Sequence, residues 1–203
     1  IRYQRVEEPE DLVINTDQLV PPPEDGSDVE LEKGPNVVSL PETEPLPDRL
    51  EGPVLMHVGD DISTDEIMPA GSRILPFRSN IPEISKFVFS QVDESYYDRA
   101  MEHKDGGHFV VGGQNYGQGS SREHAAIAPR YLGVRAKIAK GYARIHRANL
   151  INFGILPLEF VDEADHEKIE QGDYLVFDGV RKALKEGGPV TVYNKTKDES
   201  YET

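Results

Sequence analysis

The sequence after residue 50 alternates between short apolar runs and stretches in which apolar residues recur with the spacing of a helix. Six apolar runs predict strands: PVLMHVG (53–59), HFVVGG (108–113), VRAKIAKG (134–141), GILPLEF (154–160), DYLVFDG (173–179) and PVTVYN (189–194). Five other stretches predict helices: IPEISKFVF (81–89), DESYYDRAM (93–101), SREHAAIAPRYLG (121–133), ARIHRANLINFG (143–154) and DEADHEKIE (162–170). Strands that alternate with helices in this way indicate an α/β fold.

Residues 1–50 have a different composition from the rest of the chain. They contain 13 acidic and 4 basic residues and 8 of the 15 prolines. Because proline removes backbone donors and like charges repel, the pattern predicts an extended linker or wrapping segment over 1–50. A globular domain is expected over 51–203. The chain begins with Ile1 rather than Met, and we expect it to be a piece of a longer protein, with processing as the alternative.

Charge and cysteine content narrow the function classes. A formal net charge of -15 argues against nucleic acid or an anionic membrane as partner, because such binding rests on clustered Lys and Arg. With no cysteine, this chain cannot ligate a thiolate-held cluster. No apolar run approaches the roughly 20 residues of a membrane span, and the first residues lack the apolar core of a signal peptide. A cytoplasmic location is therefore expected.

The stretch NYGQGSSREHAAIAPRYLG, residues 115–133, predicts an anion site at the start of a helix. Gly117 and Gly119 allow a tight turn and a close approach to a ligand, and a helix N-terminus favours negative charge. The guanidinium of Arg122 matches a carboxylate, to which the hydroxyls of Ser120 and Ser121 can donate. A nucleophile elbow and a P-loop both require residues that this stretch lacks.

A capping box is the simpler interpretation of the same residues. Ser120 and Glu123 have the S-x-x-E spacing of that motif. Capping alone explains neither the two glycines nor Arg122, which this interpretation places in the first helical turn, where the helix dipole disfavours a cation.

A second candidate region is DDISTDEIMPAGSRILPFRSN, residues 60–80, which carries four carboxylates and two arginines. A solvated acidic loop is the alternative, since charged loops are common and mostly inert. No spacing of the histidines matches a metal-ligand set, and we interpret them as structural or surface residues.

Three motifs resemble the C-terminal swivel domain of the aconitase family of iron-sulfur hydro-lyases: VGDDISTDEIMPAG, YGQGSSREHAA and ARIHRANLINFGILPLEF. They occur in the family's order, and the similarity runs from about Pro53 to the end. The resemblance implies a three-layer β/β/α swivelling domain that closes over a [4Fe-4S] cluster. That cluster would be held by cysteines of the remaining domains or of a partner chain, with a tricarboxylate as substrate.

The resemblance also implies roles for individual residues. Ser120 matches the family's base, which removes a proton from a substrate carbon. Arg122, assisted by Ser121, matches a carboxylate-binding arginine. Asp65 matches an active-site aspartate, and Arg78 a second substrate arginine. The match of Arg78 requires a one-residue gap, so Arg73 stays an alternative.

Three functions remain open at this point. The first is the closing domain of an aconitate hydratase, which interconverts citrate, cis-aconitate and isocitrate. The second is the small subunit of isopropylmalate isomerase or homoaconitase, because the same domain occurs there. The third is a carboxylate-binding module without catalysis. Under the first two, the chain alone is expected to be inactive because it has no cysteine to hold the cluster.

Overall fold

The structure is a computed structural model that describes Glu7 and residues 14–203. It divides into two compact units, Ile1–Glu32 and Lys33–Thr203. The described residues of the first unit contain isolated turns and are exposed. The prediction of an extended segment over residues 1–13 lies outside the described residues, apart from Glu7. Regular structure begins at Leu50 among the described residues, and a domain boundary near that position stays a prediction.

The described residues of the second unit form one seven-stranded sheet. Its strands are β1 (Leu50–His57), β2 (His108–Gly112), β3 (Val134–Ala139), β4 (Leu156–Glu159), β5 (Tyr174–Phe177), β6 (Thr191–Asn194) and β7 (Glu199–Glu202). Their order is β4-β3-β2-β1-β5-β6-β7. The first four strands of that order are parallel, whereas β1 pairs antiparallel with β5 and antiparallel pairing continues through β7. The strand β1 therefore joins a parallel half to an antiparallel half.

Helices fill the connections. The α-helices are α1 (Thr64–Ile67), α2 (Ile81–Ile84), α3 (Tyr96–Glu102), α4 (His124–Tyr131), α5 (Arg144–Asn152) and α6 (Val180–Glu186). Short 3-10 helices cover Leu75–Phe77, Ser85–Phe87 and Glu163–Lys168. The last of these lies where DEADHEKIE predicts an α-helix, so that prediction is wrong in helix type. All six predicted strands are confirmed, whereas β7, α1, α6 and the 3-10 helix Leu75–Phe77 were not predicted.

The parallel half of the sheet is buried on both faces. Phe109 and Val111 of β2 belong to a core shared with Phe177 of the antiparallel half, and the ring centroids of Phe109 and Phe177 lie 4.7 Å apart. Val110, which points to the opposite face, belongs to a second core built with the helices. Antiparallel strands, parallel strands and helices thus form three layers. The expected α/β class and the β/β/α arrangement are confirmed.

The parallel pairing of β1 and β2 brings two loops together. Both strands run in the same direction, so the loops that follow them start side by side at the carboxyl ends of the strands. The N–H of Gly117 donates to the carbonyl of Ile62 at 2.7 Å, and the N–H of Thr64 donates to the carbonyl of Gln118 at 2.8 Å. The two candidate regions of the sequence therefore lie side by side.

Candidate active site

In the loop after β2, residues 116–117 pack against α5 and β3, and we call them the loop root. Tyr116 is buried, and Gly117 has φ +80°. A Cβ on Gly117 would lie 2.2 Å from Cδ2 of His146, a contact that real side chains do not make. His146 is itself buried in α5. Only glycine therefore lets the chain lie against this ring.

A buried lysine supports the loop root from the sheet. Lys137 of β3 is 1% exposed, and its Nζ donates to the hydroxyl of Tyr116 at 3.2 Å. Burial lowers the pKa of Lys137 to about 7. Burial also lowers the pKa of His146 to about 2, with the charge of Lys137 as a second cause. The loop root thus rests on a neutral imidazole and a desolvated amine.

The rest of the loop is open to solvent, and we call residues 119–121 the loop tip. Ser120 and Ser121 are both exposed. A Cβ on Gly119 would meet nothing closer than 3.6 Å, although its φ of +96° favours glycine. One side-chain bond fixes the loop tip from the neighbouring loop, since the hydroxyl of Thr64 donates to the carbonyl of Ser120 at 3.0 Å.

The capping interpretation of Ser120 and Glu123 is wrong. Helix α4 begins at His124, and its N-cap is Glu123, which makes no capping hydrogen bond through its side chain. Arg122 therefore precedes the helix rather than lying in its first turn. The capping geometry fails because the chain is still in the loop at Ser120, three residues too early to face the free N–H groups of the helix.

A capping box does occur on α1. The hydroxyl of Ser63 accepts from the N–H of Glu66 at 3.1 Å, and the Glu66 carboxylate accepts from the N–H of Ser63 at 2.8 Å. The same S-x-x-E signal is visible at 63–66 in the sequence and was not used. This box fixes the short helix that carries Asp65.

Asp65 and Arg122 form an ion pair across the two loops. Nη1 of Arg122 contacts Oδ1 of Asp65, and the same nitrogen lies 3.3 Å from the carbonyl oxygen of Met68. The Arg122 side chain is 25% exposed and that of Asp65 is 56% exposed. Within the described part of the chain, Nε and Nη2 of Arg122 make no hydrogen bond. One edge of the guanidinium is therefore held by protein and the other is available.

A cavity of about 260 Å³ opens beside this pair. Its polar and charged lining residues are Arg78, Ser121, Arg122, Glu123 and His124, and its apolar lining residues include Met68, Ile74, Leu75 and Ile84. Nε2 of His124 donates to the carbonyl of Arg78 at 2.8 Å, which fixes the backbone that carries that arginine.

The predicted residues divide into two groups around this cavity. Arg78, Ser121 and Arg122 line it, whereas Ser120, Asp65 and Arg73 do not. Asp65 reaches it only through Arg122. His124 also lines the cavity, and Thr64 contacts the loop tip. The sequence did not point to either, because their contacts are with residues 46 and 56 positions away.

The described residues do not fit an iron-sulfur cluster. The chain contains no cysteine, and no group of three or more His, Asp or Glu side chains in the described residues could hold a metal ion. A cluster requires thiolate ligands, which this donor set cannot supply.

Comparisons with known proteins agree with the three-layer fold. A family model described as the aconitase C-terminal domain matches residues 80–163. The chain is 38% identical over 158 residues to 3-isopropylmalate dehydratase small subunit 2 of Archaeoglobus fulgidus, covering 69% of this chain and 92% of that protein. The chain belongs to the aconitase C-terminal domain family. The match of residues 80–163 includes the whole loop after β2, but not Asp65 or Arg78.

Relatives of this domain family occur in two sizes. Mitochondrial aconitate hydratase of Gracilaria gracilis is 36% identical over 201 residues, covering 87% of this chain and 26% of that protein. The chain thus spans about a quarter of the length of that relative. The structure of 3-isopropylmalate dehydratase from Methanocaldococcus jannaschii superposes with a TM-score of 0.61 at 31% identity, covering 75% of this chain and 80% of that one.

Neither a membrane-spanning helix nor a cellular location is established for the chain. Among the residues that the structure describes, no helix combines the length and apolar character needed to cross a bilayer. Several relatives of the domain family carry the word mitochondrial in their names, and the cytoplasmic location stays a prediction.

Proposed function

We propose that this chain is the substrate-closing domain of an aconitate hydratase that interconverts citrate, cis-aconitate and isocitrate. The observation that carries the proposal is the meeting of Arg78 and Arg122 at one cavity beside the exposed loop tip. Two guanidinium groups suit a substrate with more than one carboxylate, because each can hold a carboxylate through two parallel hydrogen bonds.

Arg122 and Asp65 have complementary roles in this proposal. Asp65 and the carbonyl of Met68 hold Nη1, which orients the guanidinium plane. The edge formed by Nε and Nη2 then binds a substrate carboxylate. Ser121, which lines the same cavity, donates its hydroxyl to that carboxylate. An arginine oriented before substrate arrives loses less entropy on binding.

Ser120 acts on the carbon-bound proton. A serine is a weak base unless donors stabilise its alkoxide in a site that excludes water. The N–H groups of Ser120 and Ser121 donate to no acceptor in the described part of the chain, so they can serve as those donors. Closure of this domain over the rest of the enzyme would remove the loop tip from water.

The [4Fe-4S] cluster belongs to the remaining aconitase domains or to a partner chain in this proposal. The present chain has no cysteine with which to ligate it. We therefore expect the isolated chain to show no hydro-lyase turnover, even with iron and sulfide supplied.

A second candidate function is that of an isopropylmalate isomerase small subunit. It is favoured by the 92% of the Archaeoglobus fulgidus small subunit that this chain covers. In that case the same residues would bind a dicarboxylate with an apolar branch. Met68, Ile74 and Leu75 give the cavity an apolar wall that could accept such a branch.

The test is steady-state kinetics of the complete enzyme with cis-aconitate and with isopropylmalate as separate substrates. Ser120→Ala should lower kcat by about 10² to 10⁴ while KM changes little, because a proton-transfer group acts mainly in the transition state. Ser72→Ala is the matched control, since Ser72 is exposed and its side chain makes no hydrogen bond within the described residues.

The outcomes separate the alternatives. Turnover of cis-aconitate alone supports the first function, and turnover of isopropylmalate alone supports the second. An increase in KM with unchanged kcat would show that Ser120 binds substrate rather than moving its proton. Equal behaviour of Ser120→Ala and Ser72→Ala would refute a role for the loop tip.

A further inference from the structure

A second cavity, larger than the one at the candidate active site, lies at the amino-terminal ends of the parallel strands. It has a volume of about 480 Å³, within the range of small-molecule sites. Gly106, just before β2, and Arg135, at the start of β3, both line it. The candidate active site lies beyond the carboxyl end of β2. The five residues of β2, at about 3.3 Å each, place roughly 16 Å of strand between that end and the arginine-lined cavity.

Four arginines line this cavity: Arg49, Arg130, Arg135 and Arg181. Its acidic lining residues are Glu44, Glu51 and Asp105. The cavity is therefore cationic on balance, whereas the chain as a whole has 37 acidic and 22 basic residues. We call it the arginine cavity.

Within the part of the chain that the structure describes, one of these four arginines, Arg49, forms an ion pair with a carboxylate. Arg49 bonds Asp178 at 2.6 Å and Glu51 at 2.9 Å. Arg130 and Arg181 instead donate to backbone carbonyls, of Glu44 at 3.2 Å and of Leu46 at 2.7 Å. In the described residues, neither these two nor Arg135 forms an ion pair. Neutral carbonyls position a guanidinium but leave its charge uncompensated.

Two of the three arginines that form no ion pair in the described residues are partly or wholly desolvated. Arg130 is 7% exposed, and its Nε has no hydrogen-bond partner in the described residues. Arg135 is half-buried, and burial lowers its pKa, with Asp105 opposing the shift. Arg130, which is desolvated and has no carboxylate partner in the described residues, costs stability that an anion in the cavity would offset.

Glycine makes room for one of these side chains. A Cβ on Gly107, which has φ +87°, would lie 2.7 Å from Cγ of Arg135. Pro45, Leu46 and Pro47 also line the cavity, and the two prolines restrict the backbone there. The cavity is thus a shaped recess rather than a group of arginines on an open surface.

We propose that the arginine cavity binds a small polyanion, with two or more phosphate or carboxylate groups held by Arg130, Arg135 and Arg181. Planar guanidinium groups match both kinds of oxyanion through paired hydrogen bonds. The site is separate from the candidate active site and does not depend on the function proposed above.

The test is isothermal titration calorimetry of the full chain at constant ionic strength, with pyrophosphate and citrate as the two probes. Arg135→Gln and Arg181→Gln should each weaken binding at least tenfold. Arg147→Gln is the charge-matched control, because Arg147 pairs with Glu159 on α5 and β4 and does not line the cavity. Arg122→Gln removes an arginine of the candidate active site and should change the dissociation constant less than twofold.

The two probes identify the chemistry of the ligand. Binding of pyrophosphate alone identifies a phosphate site, and binding of citrate alone a carboxylate site. Arg181 is exposed, so Arg181→Gln decides the test if Arg135→Gln unfolds the chain. The proposal is overturned if neither probe binds saturably, if both cavity variants bind like Arg147→Gln, or if Arg122→Gln abolishes binding.

Discussion

The loop root and the loop tip are consecutive segments of one loop, yet they are built in opposite ways. Gly117 in the loop root lies against a buried ring, whereas a Cβ on Gly119, two residues later, would only make an ordinary contact with the hydroxyl of Thr64 at 3.6 Å. The loop root is covered by α5 and β3, while Ser120 and Ser121 are exposed. The loop thus has a fixed base and an accessible end.

Under the proposed function, this difference would let the domain present the serines of the loop tip to a substrate without burying them in the separate domain. A side chain that must meet a substrate on another part of an enzyme has to be exposed in the separate domain. Its position must nevertheless be set, because a displacement of about 1 Å can cost a hundredfold in rate. Packing beneath the loop root supplies that position. Changes in the loop root should therefore lower stability, and changes in the loop tip should lower activity.

The largest effect expected on stability is that of Gly117→Ala. The new methyl group would overlap the ring of His146, and alanine disfavours the positive φ, so the free energy of unfolding should fall by about 3 kcal/mol or more. Gly119→Ala is the matched control, with strain but no overlap, and should cost about 1 kcal/mol. Chemical denaturation of both variants checks the difference. Equal losses would contradict the contrast between loop root and loop tip.

Arg122→Lys should show the reverse pattern, with a loss of activity and little change in stability. Lysine keeps the charge but loses the two-pronged donor geometry. We expect kcat/KM of the complete enzyme to fall roughly thirtyfold, which corresponds to a loss of about 2 kcal/mol of transition-state stabilisation. The exposed pair with Asp65 should contribute less than about 1 kcal/mol to folding. Unchanged kinetics would refute the carboxylate role, and parallel losses of activity and melting temperature would make Arg122 structural.

Lys137 gives the loop root a pH dependence. Its pKa is about 7 in the folded chain, against an ordinary value of 10.5. The unfolded chain therefore binds more protons between these values, and the contribution of Lys137 to the unfolding free energy rises with pH through that window. Lys137→Met should raise stability by about 2 kcal/mol at pH 6.5 and by much less at pH 10. A gain that is equal at both pH values would contradict a desolvated amine.

The smallest effect is expected for Thr64→Val, which tests the hydrogen bond from the Thr64 hydroxyl to the loop tip. The two side chains have similar shapes, and the carbonyl of Ser120 keeps a second donor, the N–H of Arg122 at 2.9 Å. We expect a loss of about 1 kcal/mol in unfolding free energy and a measurable fall in kcat. An unchanged kcat would show that the loop root alone positions Ser120.

The sequence predicted the parallel half of the fold well, because its strands are buried on both faces and appear as apolar runs. The edge strand β7 escaped prediction because only Tyr201 of its four residues is buried, so ESYE carries no clear alternation. Helix α6 is bounded by Gly179 and Gly187, both with positive φ. Those glycines indicate the two ends of a structural element in the sequence, but VRKALKE has too few apolar residues to predict a helix with a buried face.

Arg78, Ser121 and Arg122 were each named from the sequence, but their arrangement around one cavity was not predicted. Asp65 and Arg122 were both singled out, yet their pairing depends on β1 lying beside β2, which no local pattern shows. Lys137 gave no signal at all. A lysine in an apolar strand usually marks an exposed face of the sheet. Only the tertiary structure shows that the helices cover this face of β3 and bury Lys137.

The strand β1 has a consequence for how the chain is made. Leu50 pairs with Phe177, 127 positions later, so the two halves of the sheet cannot be joined until most of the domain has been synthesised. At about 5 to 20 residues per second, a ribosome needs roughly 6 to 25 s to cover that distance. Throughout that time one edge of β1, with its unpaired backbone groups, is open to other chains. The strand that joins the two halves of the folded domain is thus also open to mispairing on the nascent chain.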